Sequence, residues 1–386
     1  MVVMTISSAI WRDQLAPGER AALGRGAGFI PDTRPDVLIV GGGIVGAATA
    51  MACRAAGLGS VLLIEAGQLG SGATGGAAGL LTPEIREWSD PGPFADLARA
   101  SLEHWKDLEL SHPGGVGLIH LDWIGLVPDP DSFAPHQPPV IEWLMPAQVR
   151  DRVPGLALPM AAALIRHQAR VNPLRAITRL TAPLPDIATG VAALSVTIRG
   201  GRVVTLGTSA GDIHPGVVVF ATGRPPVLDG LPLDVPSDMV KGHLLVTEPV
   251  AARLPGTVAP VATQLEDGRL LVGGTFDMGD ESPSLRPQVI EAILGGLYAA
   301  LPALEGVGVS HQWCCFRPRH PDGHPVIDKV PGVANAWFTS GHFRTGILMA
   351  PVTARALVRW IGAGEAPAEA AAWSSARFTR WADRHH

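Results

Sequence analysis

Near the start of the chain, two runs of uninterrupted apolar residues frame a glycine-rich turn. Asp36 to Val40 reads DVLIV, apolar residues with no polar alternation, the pattern of a strand buried on both faces. GGGIVG follows at once, and then AATAMACRAAG, whose composition favours a helix up to Gly57. A second apolar run, SVLLI at 60–64, ends at Glu65. The spacing predicts strand, turn, helix and strand within about thirty residues, a βαβ unit of a parallel sheet.

Beyond residue 90 the pattern changes. FADLARASLEHWKDLEL reads as a helix, and GVGLIHL and IGLVPD read as strands of a different sheet. GVVVFATG at 216–223 is another buried run, whereas GHLLVTE and GRLLVGGTF within 239–275 suit an antiparallel pair. A helix is expected over 285–305, a proline-rich loop over 311–328, a strand at NAWFTS and a last helix over 346–362. Residues 1–34, broken by Pro17, Gly18 and Pro31, read as an arm packed on the outside. The order predicts an α/β fold with an α+β second domain, the two interleaved. One domain is expected from 35–90, 161–238 and 311–375, the other from 91–160 and 239–310, with a solvated tail over 376–386.

Composition narrows the class. With 47% hydrophobic and 17% charged residues, the chain has ample core-forming material and is not a disordered protein. Thirty basic and thirty-five acidic residues give a net charge of −5, which provides no basic surface for nucleic acid. Cys53, Cys314 and Cys315 cannot build a disulfide framework and suit a reducing, cytoplasmic setting. Mean hydropathy is +0.24, yet no run of about eighteen apolar residues exists to span a bilayer. Arg12, Asp13, Glu19 and Arg20 interrupt any signal-peptide pattern.

Gly41-x-Gly43-x-x-Gly46 sits where the first strand turns into the first helix. Gly41 permits the tight turn, Gly43 lets the backbone approach a pyrophosphate, and Gly46 lets helix and strand pack closely. The helix N-terminus offers N–H groups and a positive dipole to phosphates. Glu65 ends the second strand, where a carboxylate can accept ribose hydroxyls. These features predict a Rossmann-like dinucleotide site without deciding between FAD and NAD.

Further along, the chain reads AGQLGSGATGGAAGLLTPE at 66–84, FRPRHPDGHPVID at 316–328 and SGHFRTGILMAP at 340–351. Together with GGGIVG these resemble the D-amino-acid-oxidase superfamily of FAD-dependent enzymes, and within it the glycine oxidase and sarcosine oxidase branch, from about Asp36 to residue 365. The resemblance implies FAD held between a Rossmann-like FAD-binding domain and an antiparallel-sheet substrate domain. It implies that Ile44, Val45, Glu65 and Ala66 line the adenosine and pyrophosphate, with Val191 a further candidate at the adenine. Ala73, Thr74, Ala78, Gly79 and Leu80 would approach the ribityl chain and ring. His342, Phe343, Arg344, Thr345, Gly346, Ile347 and Leu348 would close around the flavin, whose reduced form a helix N-terminus at Gly346 favours.

For the substrate, the resemblance implies that Arg317 clamps a carboxylate and that Arg344 is a second candidate; a planar guanidinium can do this bidentately. The expected reaction is oxidation of the C–N bond of a small amino acid or secondary amine, with hydride passing to flavin, hydrolysis of the imine, and reoxidation by dioxygen giving peroxide. VKGHLLVTEP at 240–249 and Gln264 are similar instead to the β-subunits of heteromeric amino-acid dehydrogenases, which pass electrons to a partner protein. A flavin-binding partner without turnover is the third reading, and a homo-oligomer is left open. His243 and His342 are candidate proton carriers, with a hydrogen-bonded structural role as the alternative.

Two features depart from the branch. Tyr298 is the single tyrosine and falls in an expected helix, while Val261 stands where an aromatic residue is expected, so the pocket should be less polar. Cys315 lies seven residues before Asp322, the spacing at which monomeric sarcosine oxidases bond covalently to flavin. A non-covalent flavin and a buried, inert Cys315 form the leading expectation.

Overall fold

The computed structural model describes residues 9–83, 92–112, 114–127 and 141–378. Glu84 of the second motif and residues 379–386 of the expected tail lie outside them. Strand Val37–Val40 lies inside a six-stranded sheet, paired in parallel with Val61–Glu65 on one side and Val217–Gly223 on the other. Asp186–Thr189 and Ala336–Ser340 extend that sheet in parallel, and Val326–Lys329 closes one edge antiparallel to its neighbour. Every residue of Val37–Val40 is buried, as a strand with covered faces on both sides requires.

Helix Ile44–Ala55 leaves the end of Val37–Val40 and packs between helices Gly346–Ala363 and Pro173–Thr181. Its buried positions include Gly46, Ala47, Ala48 and Ala50, small side chains that let the neighbouring helices approach closely. A separate three-stranded antiparallel sheet, Ala193–Arg199, Arg202–Thr208 and Gly211–Ile213, covers part of the parallel sheet through a shared cluster that includes Val196, Leu206 and Phe220.

The second sheet has nine strands. Along it run Val309–Arg319, Asp238–Thr247, Leu270–Gly273, Ala262–Gln264, Gly256–Ala259, Ile119–Val127, Ala161–Arg170 and Leu80–Leu81, while Ile141–Leu144 pairs with Ala161–Arg170. All pairings are antiparallel except that between Gly256–Ala259 and Ile119–Val127. Helix Pro287–Ala300 packs on this sheet through Ile290 and Leu297.

Two expectations are corrected. Residues 161–170, assigned to the dinucleotide-binding domain, form a strand of the antiparallel sheet, because the run AAALI pairs along its whole length with Ile119–Val127. The expected proline-rich loop starting at 311 begins instead as strand Val309–Arg319, in register with Asp238–Thr247 from Asp238 opposite Arg319 to Val246 opposite His311. Pro318 is tolerated there because the strand lies at the sheet edge, where a missing N–H breaks no interior ladder. In the N-terminal segment, helix Pro17–Ala22 buries no residue, while Trp11, 0% exposed, and Ile10, 1% exposed, are inserted into the core.

Candidate active site

The turn after Val37–Val40 has no room for side chains. Gly41 has φ +116°, and a Cβ there would lie 2.4 Å from the Ala221 carbonyl oxygen. A Cβ at Gly46 would lie 1.9 Å from the Gly41 oxygen, so helix and turn touch backbone to backbone. Gly43 precedes the helix and supplies no side-chain cap, while Ile44 N–H donates to Thr74 Oγ1 at 3.1 Å. The Ile44–Ala55 N-terminus is therefore approached by the loop that carries Ala73, Thr74, Ala78 and Gly79.

Glu65 is engaged with the turn before any ligand arrives. Its Oε2 accepts from Gly42 N–H at 2.7 Å, and its Oε1 from Gly67 N–H at 2.8 Å and from Ser71 Oγ at 3.4 Å, so Oε2 is the oxygen that keeps a further lone pair for a hydroxyl. Gly42 is a residue that sequence reasoning passed over. A Cβ on it would meet Leu69 Cδ2 at 2.6 Å and Glu65 Cβ at 2.8 Å, so the middle glycine of GGG lets the acid reach the turn. Val191 is buried and donates its N–H to the Glu65 carbonyl at 2.9 Å, which places it beside the acid. Ala66 follows Glu65 directly. Leu80 starts the short strand opposite Arg170, after Gly79, whose φ of +76° brings it against the Val171 carbonyl. A turn that any Cβ would fill, a helix N-terminus and an acid with spare acceptor capacity fit a dinucleotide such as FAD.

The segment 342–348 crosses over from the last parallel strand to helix Gly346–Ala363. His342 is buried, shares a hydrogen bond with Thr353 Oγ1 at 3.1 Å, and has its pKa pushed down to about 3 by burial. It is neutral at physiological pH and holds the segment in place. Phe343 adopts φ +51°, an uncommon conformation for a bulky residue, and is tied by its N–H to the Pro318 carbonyl at 2.8 Å. Thr345 Oγ1 donates to the His342 carbonyl at 2.8 Å. Pro351, inside the helix, leaves the Ile347 carbonyl without its usual helical N–H, and Trp105 Nε1 donates to that oxygen at 3.0 Å. Gly346, Ile347 and Leu348 thus open a helix braced from helix Pro93–Ser111, with no side-chain cap over its N–H groups.

Arg317 and Arg344 meet at Phe276. Each guanidinium carbon lies 4.8 Å from the Phe276 ring centre, so the two cations share one aromatic neighbour. Arg317 extends across Gly242, where a Cβ would come within 2.5 Å of both terminal nitrogens, and donates to the Thr275 carbonyl at 2.8 Å. Burial draws its pKa down from the ordinary arginine value, yet among the described residues no carboxylate forms an ion pair with it. Gly242 and Phe276 are functional candidates that sequence reasoning missed; the only signal was their place in VKGH and GGTFDMGD.

The loop bearing Phe276 is pinned by charge. Lys241 is 0% exposed, and its Nζ donates to Asp280 Oδ2 at 2.9 Å, the Ser284 carbonyl at 2.7 Å and Ser282 Oγ at 3.2 Å. His243 Nδ1 lies 3.0 Å from Asp277 Oδ2, which Arg286 also holds at 2.8 Å. Burial lowers the His243 pKa while Asp277 opposes that shift, and both ring nitrogens are engaged within the network. His243 is a structural brace of the 275–286 loop.

Other candidates stand apart. Cys315 is 2% exposed and burial pushes its thiol up to about 11, overriding the nearby Arg317 cation. A protonated thiol is a poor nucleophile, which disfavours the covalent bond to flavin. Tyr298 and Val261 pack in the core of the antiparallel domain. Gln264 braces a loop, accepting from Leu254 N–H at 2.8 Å and donating to the Ala252 carbonyl at 2.9 Å. Among the described residues no cluster of His, Cys, Asp or Glu could hold a metal ion, and no helix is long and apolar enough to cross a membrane.

A parallel-sheet dinucleotide domain joined to an antiparallel sheet, with Arg317 on a strand of that sheet facing Arg344 on the segment after the last parallel strand, fits a flavoprotein architecture. A family profile described as FAD dependent oxidoreductase matches residues 36–360, and the chain belongs to this family, with FAD as its cofactor. It is 30% identical over 339 residues to a glycine oxidase of Bacillus licheniformis, covering 83% of this chain and 91% of that protein. A glycine oxidase of Pseudomonas aeruginosa is 29% identical over 343 residues, covering 83% of this chain and 93% of that protein. The crystal structure of glycine oxidase from Geobacillus kaustophilus superposes with a TM-score of 0.77 at 25% identity, covering 89% of this chain and 98% of that one. L-proline dehydrogenase from P. horikoshii shares the fold, with a TM-score of 0.78 at 19% identity over 90% of this chain and 99% of that one.

Proposed function

We propose that the protein oxidises the C–N bond of a small amino acid or secondary amine that carries a carboxylate. The observation that carries this reading is Arg317, a half-buried guanidinium with no carboxylate within ion-pair distance among the described residues and Asp277 acting on it only from farther off, beside Arg344 on the same aromatic ring. A buried cation is costly unless an anion completes it, so the site is set to receive a substrate carboxylate. FAD, when bound, accepts the hydride from the α-carbon. Arg317 fixes the carboxylate, Arg344 adds a second positive charge, and the Phe276 ring stacks against both guanidinium groups at 4.8 Å. The braced N-terminus of Gly346–Ala363 directs N–H groups toward the cofactor's side of the site.

Neither His243 nor His342 serves as the base in this reading, since each is committed to a hydrogen-bonded partner. The amine loses its proton to solvent and the imine product is hydrolysed there. The likeness to glycine oxidases favours dioxygen as the acceptor, with peroxide as the second product. Three unpaired cysteines fit a cytoplasmic setting. The test is anaerobic mixing with glycine, sarcosine, D-amino acids and cyclic imino acids while the visible flavin band is watched. Bleaching by one of these, and recovery with peroxide release on admitting air, is expected. Arg317→Ala should retain flavin and lose about 100-fold or more in kcat/KM. Unchanged reduction in that variant would sink the clamp.

A further inference from the structure

Residues 9–34 lie ahead of the family match at 36–360, and they are built into the cofactor domain. The segment is tied down at several separate points. The Asn172 side-chain amide donates to the Trp11 carbonyl at 2.9 Å, and Glu19 pairs with Arg179 at 3.0 Å and Arg175 at 3.4 Å, all on or just before helix Pro173–Thr181. Arg12 bonds Gln68 Oε1 at 2.8 Å, and Leu69 N–H donates to the Leu23 carbonyl at 2.9 Å. Asp13 meets His311 at 2.9 Å, on the first strand of the other sheet.

The loop these contacts surround runs GSGATGGAAG from residue 70 to 79. Two indoles hold consecutive carbonyls in it: Trp313 Nε1 donates to the Gly76 oxygen at 2.9 Å and Trp11 Nε1 to the Ala77 oxygen at 2.8 Å. Trp313 comes from the antiparallel sheet and Trp11 from the N-terminal segment. Thr74, two residues before Gly76, receives the Ile44 N–H at the start of the dinucleotide helix. We propose that the N-terminal segment is a clasp that presets this loop for FAD, with Trp11 as its positioning residue.

The physical ground is entropy. Half of the loop is glycine, and glycine loses the most backbone freedom on being ordered. A loop ordered only by the cofactor charges that loss to binding. A loop already fixed by buried indole hydrogen bonds does not, and cofactor release slows. Trp11 holds the loop at the Ala77 carbonyl, so its effect travels through the backbone of residues 74–79.

The experiment uses the full chain. Flavin is stripped, FAD is titrated back by fluorescence, and the melting temperatures of apoprotein and holoprotein are recorded for wild type, Trp11→Phe, Trp11→Ala and Trp313→Phe. Trp11→Phe keeps the ring and loses the N–H; it should raise the FAD Kd about threefold to tenfold and speed FAD release in proportion, with the apoprotein melting temperature little changed. Trp313→Phe should act in the same direction, and Trp11→Ala should weaken binding further. If Trp11→Ala does not fold, Trp11→Phe decides alone. An unaltered Kd in Trp11→Phe, or equal losses of melting temperature in apoprotein and holoprotein, would make Trp11 a core residue only and overturn the clasp. Wild-type chain that takes up no FAD would overturn it together with the cofactor assignment.

Discussion

At the cofactor end of the site, shape comes from absent side chains. Gly41, Gly42 and Gly46 sit where added Cβ atoms would fall 1.9–2.8 Å from neighbouring atoms, and the partners that complete the turn, Glu65 and Thr74, lie within about thirty residues. At the proposed substrate end, shape comes from charge. Lys241, His243, Asp277, Asp280 and Arg286 fasten a loop to a strand some forty residues away, and that loop sets Phe276 between Arg317 and Arg344. The difference separates what is common from what is particular. A pyrophosphate is recognised by backbone N–H groups and needs only a turn of the right form, whereas a substrate is recognised by side chains that must be held from outside.

The largest expected effect is at the cofactor end. Gly46→Val would drive a branched side chain into the Gly41 carbonyl, already 1.9 Å from an ideal Cβ, so the variant should purify without flavin or fail to fold. Flavin content per chain reads this directly, and full occupancy would break the comparison at its stronger half.

Lys241→Met tests the substrate end. It leaves Asp280 without its ammonium partner and frees the 275–286 loop, so KM should rise about tenfold while the FAD Kd stays within about twofold of wild type. A change in FAD affinity matching the change in KM would mean that the two ends are one unit.

The smallest effect is graded with pH. His342 ordinarily titrates near 6.5 and is pushed to about 3 by burial, so between those values the unfolded chain binds a proton that the folded chain does not. Stability is complete above pH 6.5 and falls by about 1.4 kcal/mol per unit as pH drops through this window. His243 and His320, also lowered by burial, act in the same sense. Urea titrations at pH 7.5 and 5.5 should show the drop, and equal midpoints would show that His342 is protonated in the fold.

Legibility in the sequence followed the range of the contacts. The βαβ unit, the GxGxxG turn and Glu65 could be read because turn, strand and acid are neighbours along the chain and each type has a local reason to be there. Gly42 was visible only as one of three glycines; its purpose, clearance for Glu65 and Leu69, depends on a side chain folded back from the next strand. Residues 311–319 read as part of a proline-rich loop because proline at 318 argues against a strand unless that strand lies at an edge, and edges are a property of the sheet.

The fold class and a glycine turn suited to a dinucleotide were legible in the chain alone, since apolar runs, glycine spacing and helix composition act over distances the chain itself spans. It also carried the two arginines, by resemblance. Folding alone brings Trp11 to Ala77 across 66 residues and Trp313 to Gly76 across 237, and sets a buried Lys241 to fasten the loop that carries Phe276. Such contacts leave no period in the sequence, because a hydrogen bond between distant residues constrains a distance in space and not a spacing along the chain.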